Sequence, residues 1–410
     1  MDPKQSATLS PDASAPMETG THSQGKETAP ARFRRLIRLL RLVCAKYYAT
    51  GRGVPCAVRW RDERPYRFGQ GEPLFTLVLK DRTAIAAFAS LDGLAFVESY
   101  VLGHMDILGD MDMLHEMREV TGDRHPLGYF WNLAKPLLFG QTRMDRSAIS
   151  AHYDNAPELY LNFLDSRHRC YSQGVFLRDD DTLEDAMTRK LDFAIDAIGA
   201  KPGDRVLDIG GGWGAFSEHA GRKGIRVTSL TISRESENYL RKMINDQGLP
   251  CEVINNHLFE YDPGMKFDAL VNLGVTEHLP DYKRSLAAYR RLLKPGGKMY
   301  LDASACREKY KFHSFISKHI YPGNCSPLCL HDYLKHLADT PFRLLGVWDD
   351  RHSYMLTARH WARNLERNRE AISKASGQAT YRKFHVYLNG TTDVFRDDVM
   401  QAYRWVLELP

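Results

Sequence analysis

Val206-Leu207-Asp208-Ile209-Gly210-Gly211-Gly212-Trp213-Gly214 is the stretch whose reading decides the fold. An apolar run that passes at once into a cluster of glycines reads as a buried strand turning sharply into a helix. Glycine at such a turn accepts positive φ and lets a ligand lie against the backbone. Working outward, apolar periodicity predicts strands over 205–209, 226–232, 251–255, 267–273 and 298–303. Helices are predicted over 215–222, 235–247 and 282–293. Repeated βαβ alternation implies an α/β, Rossmann-like domain with a mostly parallel, seven-stranded mixed sheet. Later elements are a strand over 342–349, helices over 354–374 and 381–395, and a closing strand over 401–407. Ser233 is placed to cap the second helix, with Glu235 and Glu237 in its first turn.

A glycine-rich turn alone does not name its ligand, because dinucleotide enzymes use one too. Three details point to S-adenosylmethionine. Asp208 sits two residues before the first glycine, the dinucleotide spacing is absent unless Gly210-x-Gly212 is forced on to Ala215, and the second strand ends in Thr231-Ile-Ser233, not in an acid. Leu293-Lys-Pro-Gly-Gly297 before the next strand also fits a methyltransferase. A dinucleotide site and a purely structural turn are the competing readings.

The chain has 410 residues, 43% of them hydrophobic, enough for two or three ordinary cores without metal or disulfide staples. Fifty-six basic against 51 acidic residues leave +5, an imbalance too small to call for a nucleic-acid partner. Seven cysteines form no CxxC pair and are odd in number, which argues for a reducing cytoplasm over a secreted disulfide framework. No run reaches the roughly 20 apolar residues of a spanning helix. His313 with His319, and His331 with His336, lack the spacing and third ligand of a zinc site, so no metal is expected.

Residues 1–31 hold almost no large apolar side chains and are expected to be a disordered tail. From Arg32 the character changes. Phe33, Leu36, Ile37, Leu40 and Val43 recur at helical spacing, with Arg34, Arg35, Arg38 and Arg41 on the other side. Such a helix either packs on its own domain with a solvated basic face or lies on a membrane surface. Strands over 58–60 and 74–79, a helix over 83–89 and a regular segment over 94–102 complete a small α/β domain, 32–124. A connector, 125–150, leads to the main domain, 151–410.

Several further pieces make the chain resemble the cyclopropane-fatty-acyl-phospholipid synthases and their mycolic acid relatives. These are Ala151-His-Tyr-Asp154, Tyr171-Ser172, the glycine loop, Leu230-Thr-Ile-Ser233, Glu277-His278, Ile320-Tyr-Pro-Gly323 and Tyr387-Leu-Asn389. Phe75-Thr-Leu-Val-Leu-Lys80, Glu98-Ser-Tyr100 and Gly109-Asp110 are similar to the small N-terminal domain of the full-length bacterial enzymes. The resemblance implies that Tyr171 and Ser172 hold the methionine carboxylate of S-adenosylmethionine. It further implies that Asp208, Gly210, Gly212 and Gly214 line the path of the cofactor, that Thr231 and Ser233 lie near the ribose, and that His257 lies near the adenine. The acceptor it implies is a lipid acyl chain, met at the inner face of a membrane. The oligomeric state, a homodimer included, stays open.

The same resemblance implies a bicarbonate base held by a cysteine, a glutamate, a histidine, an isoleucine backbone and a tyrosine. Glu277 and Tyr354 match, but Gln173 stands for the cysteine, Asp302 for the histidine and Ser304 for the isoleucine, and Thr391 replaces a second cysteine. An anion between Glu277 and Asp302 would face two carboxylates, which disfavours it. The expectation is therefore that the Asp302 carboxylate, coupled to Glu277, replaces the exogenous base or stabilises the cation directly, with capping of the following segment through Ser304 or Arg307 as the plain alternative. Product follows from base: a cyclopropane where a proton is removed to close the ring, a methyl-branched chain otherwise. A small-molecule N- or C-methyltransferase and a noncatalytic lipid-binding homologue are the alternative functions.

Overall fold

The computed structural model describes residues 29–49, 53–111, 121–123, 157–310, 313–323 and 325–410. Nearly all of the expected tail, the whole connector over 125–150 and the Ala151–Asp154 motif lie outside them.

The first unit runs α1 (Ala31–Tyr48), β1 (Cys56–Trp60), β2 (Tyr66–Phe68), β3 (Phe75–Leu79), α2 (Arg82–Ala89), α3 (Gly93–Val101) and β4 (Met105–Gly109). Its sheet has the order β2-β1-β3-β4, with β1 and β3 parallel and the outer pairs antiparallel. Asp81 and Asp92 cap α2 and α3 through their side chains. The apolar stripe of α1 (Phe33, Leu36, Ile37 and Leu40) packs into this unit's core beside Trp60, Phe75 and Ile85. The stripe is therefore spent on the domain itself and is not available for insertion into a bilayer.

The second unit contains α4 (Pro157–Leu161), α5 (Leu183–Ile198), β5 (Arg205–Ile209), α6 (Ala215–Arg222), β6 (Arg226–Thr231), α7 (Arg234–Gln247), β7 (Glu252–Asn255) and β8 (Phe267–Leu273). It continues with α8 (Tyr282–Leu292), β9 (Leu293–Cys306), β10 (Leu328–Cys329), α9 (Leu330–Ala338) and β11 (Arg343–Asp349). The last elements are α10 (Arg351–Arg367), α11 (Arg369–Ser376), α12 (Gln378–Arg396) and β12 (Gln401–Glu408). Seven strands follow the order β11-β12-β9-β8-β5-β6-β7, and the two-residue β10 adds an eighth beside the end of β9. The expected single helix over 354–374 is broken at Asn368 into α10 and α11.

The central strands β7, β6, β5, β8 and β9 are parallel, while β12 runs antiparallel to both β9 and β11. Side-chain alternation assigns the two faces. Val206, Val271, Tyr300 and Val406 join α5, α6, α10 and α12 in one core, and Leu207, Leu270, Met299, Leu301 and Trp405 join α8 and α9 in the other. Strand order reverses between β5 and β8, so a crevice opens at their carboxyl ends, where doubly wound sheets bind ligands.

The two units are clamped together. Arg382 of α12 reaches Asp106 Oδ1 at 2.6 Å and the carbonyls of Tyr100 and Met105 at 2.9 and 3.0 Å. Glu98 of α3 pairs with Lys318 and His319 at 2.6 Å each.

Candidate active site

The glycine turn forms one slot at the carboxyl ends of β5 and β6. Gly210, Gly212 and Gly214 all have positive φ, at 84°, 51° and 84°. A Cβ at 210 would lie 2.3 Å from Val275 Cγ2, whereas one at 212 would meet nothing closer than a carbonyl oxygen 3.8 Å away. Position 212 thus presents bare backbone to open space. Leu230, Leu258 and Leu279 give the slot apolar walls, and Thr231, Ser233, Asn256 and His257 give it polar ones. Apolar faces with a few hydroxyl and imidazole groups suit an adenosine moiety, so these residues fit the expected cofactor. Thr231 Oγ1 accepts from the Ser233 amide at 3.2 Å, and Ser233 Oγ caps α7 through the Ser236 amide, also at 3.2 Å. Asp208 lies elsewhere. It is turned to the other side of the strand, accepts from Ser229 Oγ at 2.9 Å, and has its carboxyl lifted by burial to about 6. It braces the turn and does not line the slot.

A second cavity of about 640 Å³ adjoins it, within the range of ligand pockets. Both units build its wall: Phe96 and Val97 from α3, and Tyr171, Glu277, Ser304, Tyr354 and Tyr387 from the second unit. His278 lines both the slot and this chamber. Burial pushes its imidazole down to about 4, so it is neutral near pH 7. The hydroxyls of Tyr171 and Tyr321 both bond that of Tyr387, and the Tyr354 ring stacks on Phe395 with centroids 4.3 Å apart.

Ser304 holds Glu277 with two donors. Glu277 Oε1 accepts from the Ser304 amide at 2.7 Å and the Ser304 hydroxyl at 2.9 Å, while Oε2 is buried without a partner. Burial raises its carboxyl to about 7, against the bonds from its own amide and from Ser304, which lower it; Asp302 adds to the rise.

Asp302 and Gln173 do not line the chamber. Alternation along β9 turns Asp302 toward α5, where Lys190 Nζ lies 3.0 Å from its Oδ2, both side chains being fully buried. Lys190 also bonds the Ser172 hydroxyl and lies 3.5 Å from Cys170 Sγ. Burial alone would lower the Lys190 pKa, but the Asp302 carboxylate outweighs it and raises the value, so the ammonium form persists. The fold therefore builds an internal ion pair beneath the site where the sequence led us to expect two facing carboxylates.

This arrangement does not suit a bicarbonate. Among the described residues here, the unpartnered buried atoms include three acceptor oxygens, Gln173 Oε1, Asp302 Oδ1 and Glu277 Oε2, against the donors Gln173 Nε2 and Thr276 Oγ1. The Ser304 donors are spent on Glu277, and the Lys190 ammonium on Asp302 and Ser172.

Lys190 is the site residue that the motifs missed. Its signal lay in the helical pattern: it falls on the buried stripe of α5, between Met187 and Ala194, where an unpaired lysine would be prohibitively costly. Among the described residues no group of three or more His, Cys, Asp or Glu could hold a metal ion.

The model of the mycolic acid cyclopropane synthetase family matches residues 140–405. The chain belongs to that family. It is 29% identical over 281 residues to cyclopropane mycolic acid synthase 3 of Mycobacterium tuberculosis, covering 63% of this chain and 96% of that one. It is 26% identical over 335 residues to the sphingolipid C9-methyltransferase of Candida albicans, covering 76% of this chain but only 65% of the fungal protein. The solved cyclopropane synthase MmaA2 of Mycobacterium tuberculosis superposes with a TM-score of 0.60 at 25% identity, over 64% of this chain and 97% of that one. Both mycobacterial proteins are covered almost entirely, at 96% and 97%, by less than two thirds of this chain.

Proposed function

We propose that this family member transfers a one-carbon unit from S-adenosylmethionine to an unsaturated acyl chain of a membrane lipid. One observation carries the reading: an apolar chamber with the unpartnered carboxylate oxygen of Glu277 on its wall shares His278 with a slot suited to adenosine. The names of the relatives, one a sphingolipid methyltransferase and one a mycolic acid cyclopropane synthase, support a lipid acceptor.

The cofactor, when bound, supplies an electrophilic methyl group on a sulfonium. Gly210, Gly212, Thr231, Ser233 and His257 would hold its nucleoside, with Tyr171 and Ser172 toward its methionine end. The chamber orients the acceptor double bond and keeps water from the carbocation that forms when the alkene attacks. Neutral His278 adds no positive charge to that region. Glu277 Oε2 is the proton acceptor in this reading. Removal of a proton from the new methyl group closes a three-membered ring, whereas removal from a chain carbon leaves an unsaturated methyl branch. Asp302 and Gln173 are assigned support of the floor, not contact with the acceptor.

Purified protein incubated with labelled S-adenosylmethionine and unsaturated phospholipid in detergent should yield label in the acyl chain by mass spectrometry. Label only in added small amines would overturn the lipid reading, and binding without transfer would point to a noncatalytic protein.

Two further outcomes follow from the geometry. Gly212→Val fills the open space before the turn and adds a side chain at positive φ, so donor affinity measured by calorimetry should fall about 100-fold, or ~2.7 kcal/mol. A dissociation constant within about threefold of the parent would remove this slot as the donor site. Glu277 must be ionised to accept a proton, and its carboxyl sits at about 7. The rate on acceptor should therefore rise with pH, about tenfold per unit below that value, and level off above it. A profile flat from pH 5 to 8 would exclude Glu277 as the base.

A further inference from the structure

The outer face of α1 has no role in the chemistry above, and its composition is one-sided. Between Ala31 and Tyr48 stand Arg32, Arg34, Arg35, Arg38, Arg41 and Lys46, with no acidic residue. With 3.6 residues per turn these six cations cover an arc of roughly 180°, opposite the stripe that packs into the core. Two leucines lie within the same arc: Leu42 is 69% exposed and Leu39 36% exposed. No ion pair forms between these cations and other described residues.

We propose that this face of α1 docks the enzyme on an anionic phospholipid bilayer, its polar side turned to the headgroups. This is the reverse of an embedded amphipathic helix, whose apolar stripe would enter the lipid; here that stripe is already occupied. Each basic side chain near a negatively charged leaflet adds attraction that falls off within a Debye length. Leu39 and Leu42 distinguish a bilayer from a nucleic acid, because a phosphate backbone offers nothing to exposed apolar side chains whereas the headgroup and acyl boundary does. The inference rests on the reading of the acceptor as a membrane lipid. It also explains how a chain with no spanning helix among its described residues would reach such an acceptor.

The test is co-sedimentation of the full chain with phosphatidylcholine vesicles and with vesicles containing phosphatidylglycerol, at low and high salt. Binding should require the anionic lipid and weaken as salt rises. Changing Arg34, Arg35, Arg38 and Arg41 together to glutamine should reduce partitioning about 100-fold or more, and Leu42→Ser should reduce it several-fold at unchanged charge. Transfer to detergent-dispersed lipid should be retained by both variants, which keeps docking separable from chemistry. Parental binding by the glutamine variant, equal binding to neutral and anionic vesicles, or preference for duplex DNA over the anionic vesicles would each overturn the proposal. Anionic-vesicle binding that the variants lose, by a protein that transfers to no lipid in detergent, would uphold this surface and defeat the proposed activity.

Discussion

Glu277→Gln is expected to lower turnover about 1000-fold while leaving the dissociation constant for S-adenosylmethionine within about threefold of the parent. Removing a positioned proton acceptor costs a factor of roughly 10² to 10⁴. The amide is nearly isosteric, and its oxygen can still accept both bonds from Ser304, so the local geometry survives the change. The residual activity should lose its dependence on pH near 7, because the group that titrates there is gone. Single-turnover rates across pH, with donor affinity measured separately, provide the check. A variant that turns over at the parental rate would assign the proton to another acceptor. One that has lost donor affinity would move Glu277 from the acceptor chamber to the donor slot.

Lys190→Met carries the second large effect, on stability. It leaves the Asp302 carboxylate fully buried without its counter-ion and removes the donor that holds Ser172. Breaking a buried pair from one side costs about 3–5 kcal/mol, which corresponds to a fall of about 10 °C in Tm for a domain of this size. Lys190→Met combined with Asp302→Leu removes both charges and should recover most of that loss, to within about 2 kcal/mol of the parent. Calorimetric melting of the two single variants and the double variant closes the cycle. Additive losses in the double variant would mean that the two residues act separately and that the short contact between them has no energetic weight.

The parallel core of the second unit was readable from the sequence because buried strands such as Arg205–Ile209 are apolar runs bounded by turn residues and separated by periodic helices. The short antiparallel strand β2 and the pairing of β4 with β3 were not, since three to five residues carry too little pattern to separate strand from loop. At the site, the residues fixed by local turn geometry stood out: Gly210 and Gly212 in the turn, and Ser233 at a helix start. What the sequence hid was the direction in which side chains point. Asp208 and Asp302 both sit near the ends of central strands, yet pleating turns one onto Ser229 and the other onto Lys190. Glu277, in a short 3₁₀ turn, does reach the chamber. Ser304 was read as a gap in an anion site and serves instead as the two-pronged donor that aims Glu277.

Phe96 and Val97 of α3 belong to the chamber while the glycine slot belongs wholly to the second unit, so in the proposed reading this one part of the acceptor's berth can be inherited apart from the donor slot. Substitutions in one short helix can change the depth or breadth of the acceptor's berth without disturbing the methyl donor. In the proposed reading, exchanging Phe96 and Val97 would reshape the part of the berth that α3 contributes, while the second unit's share of the wall stays as it is.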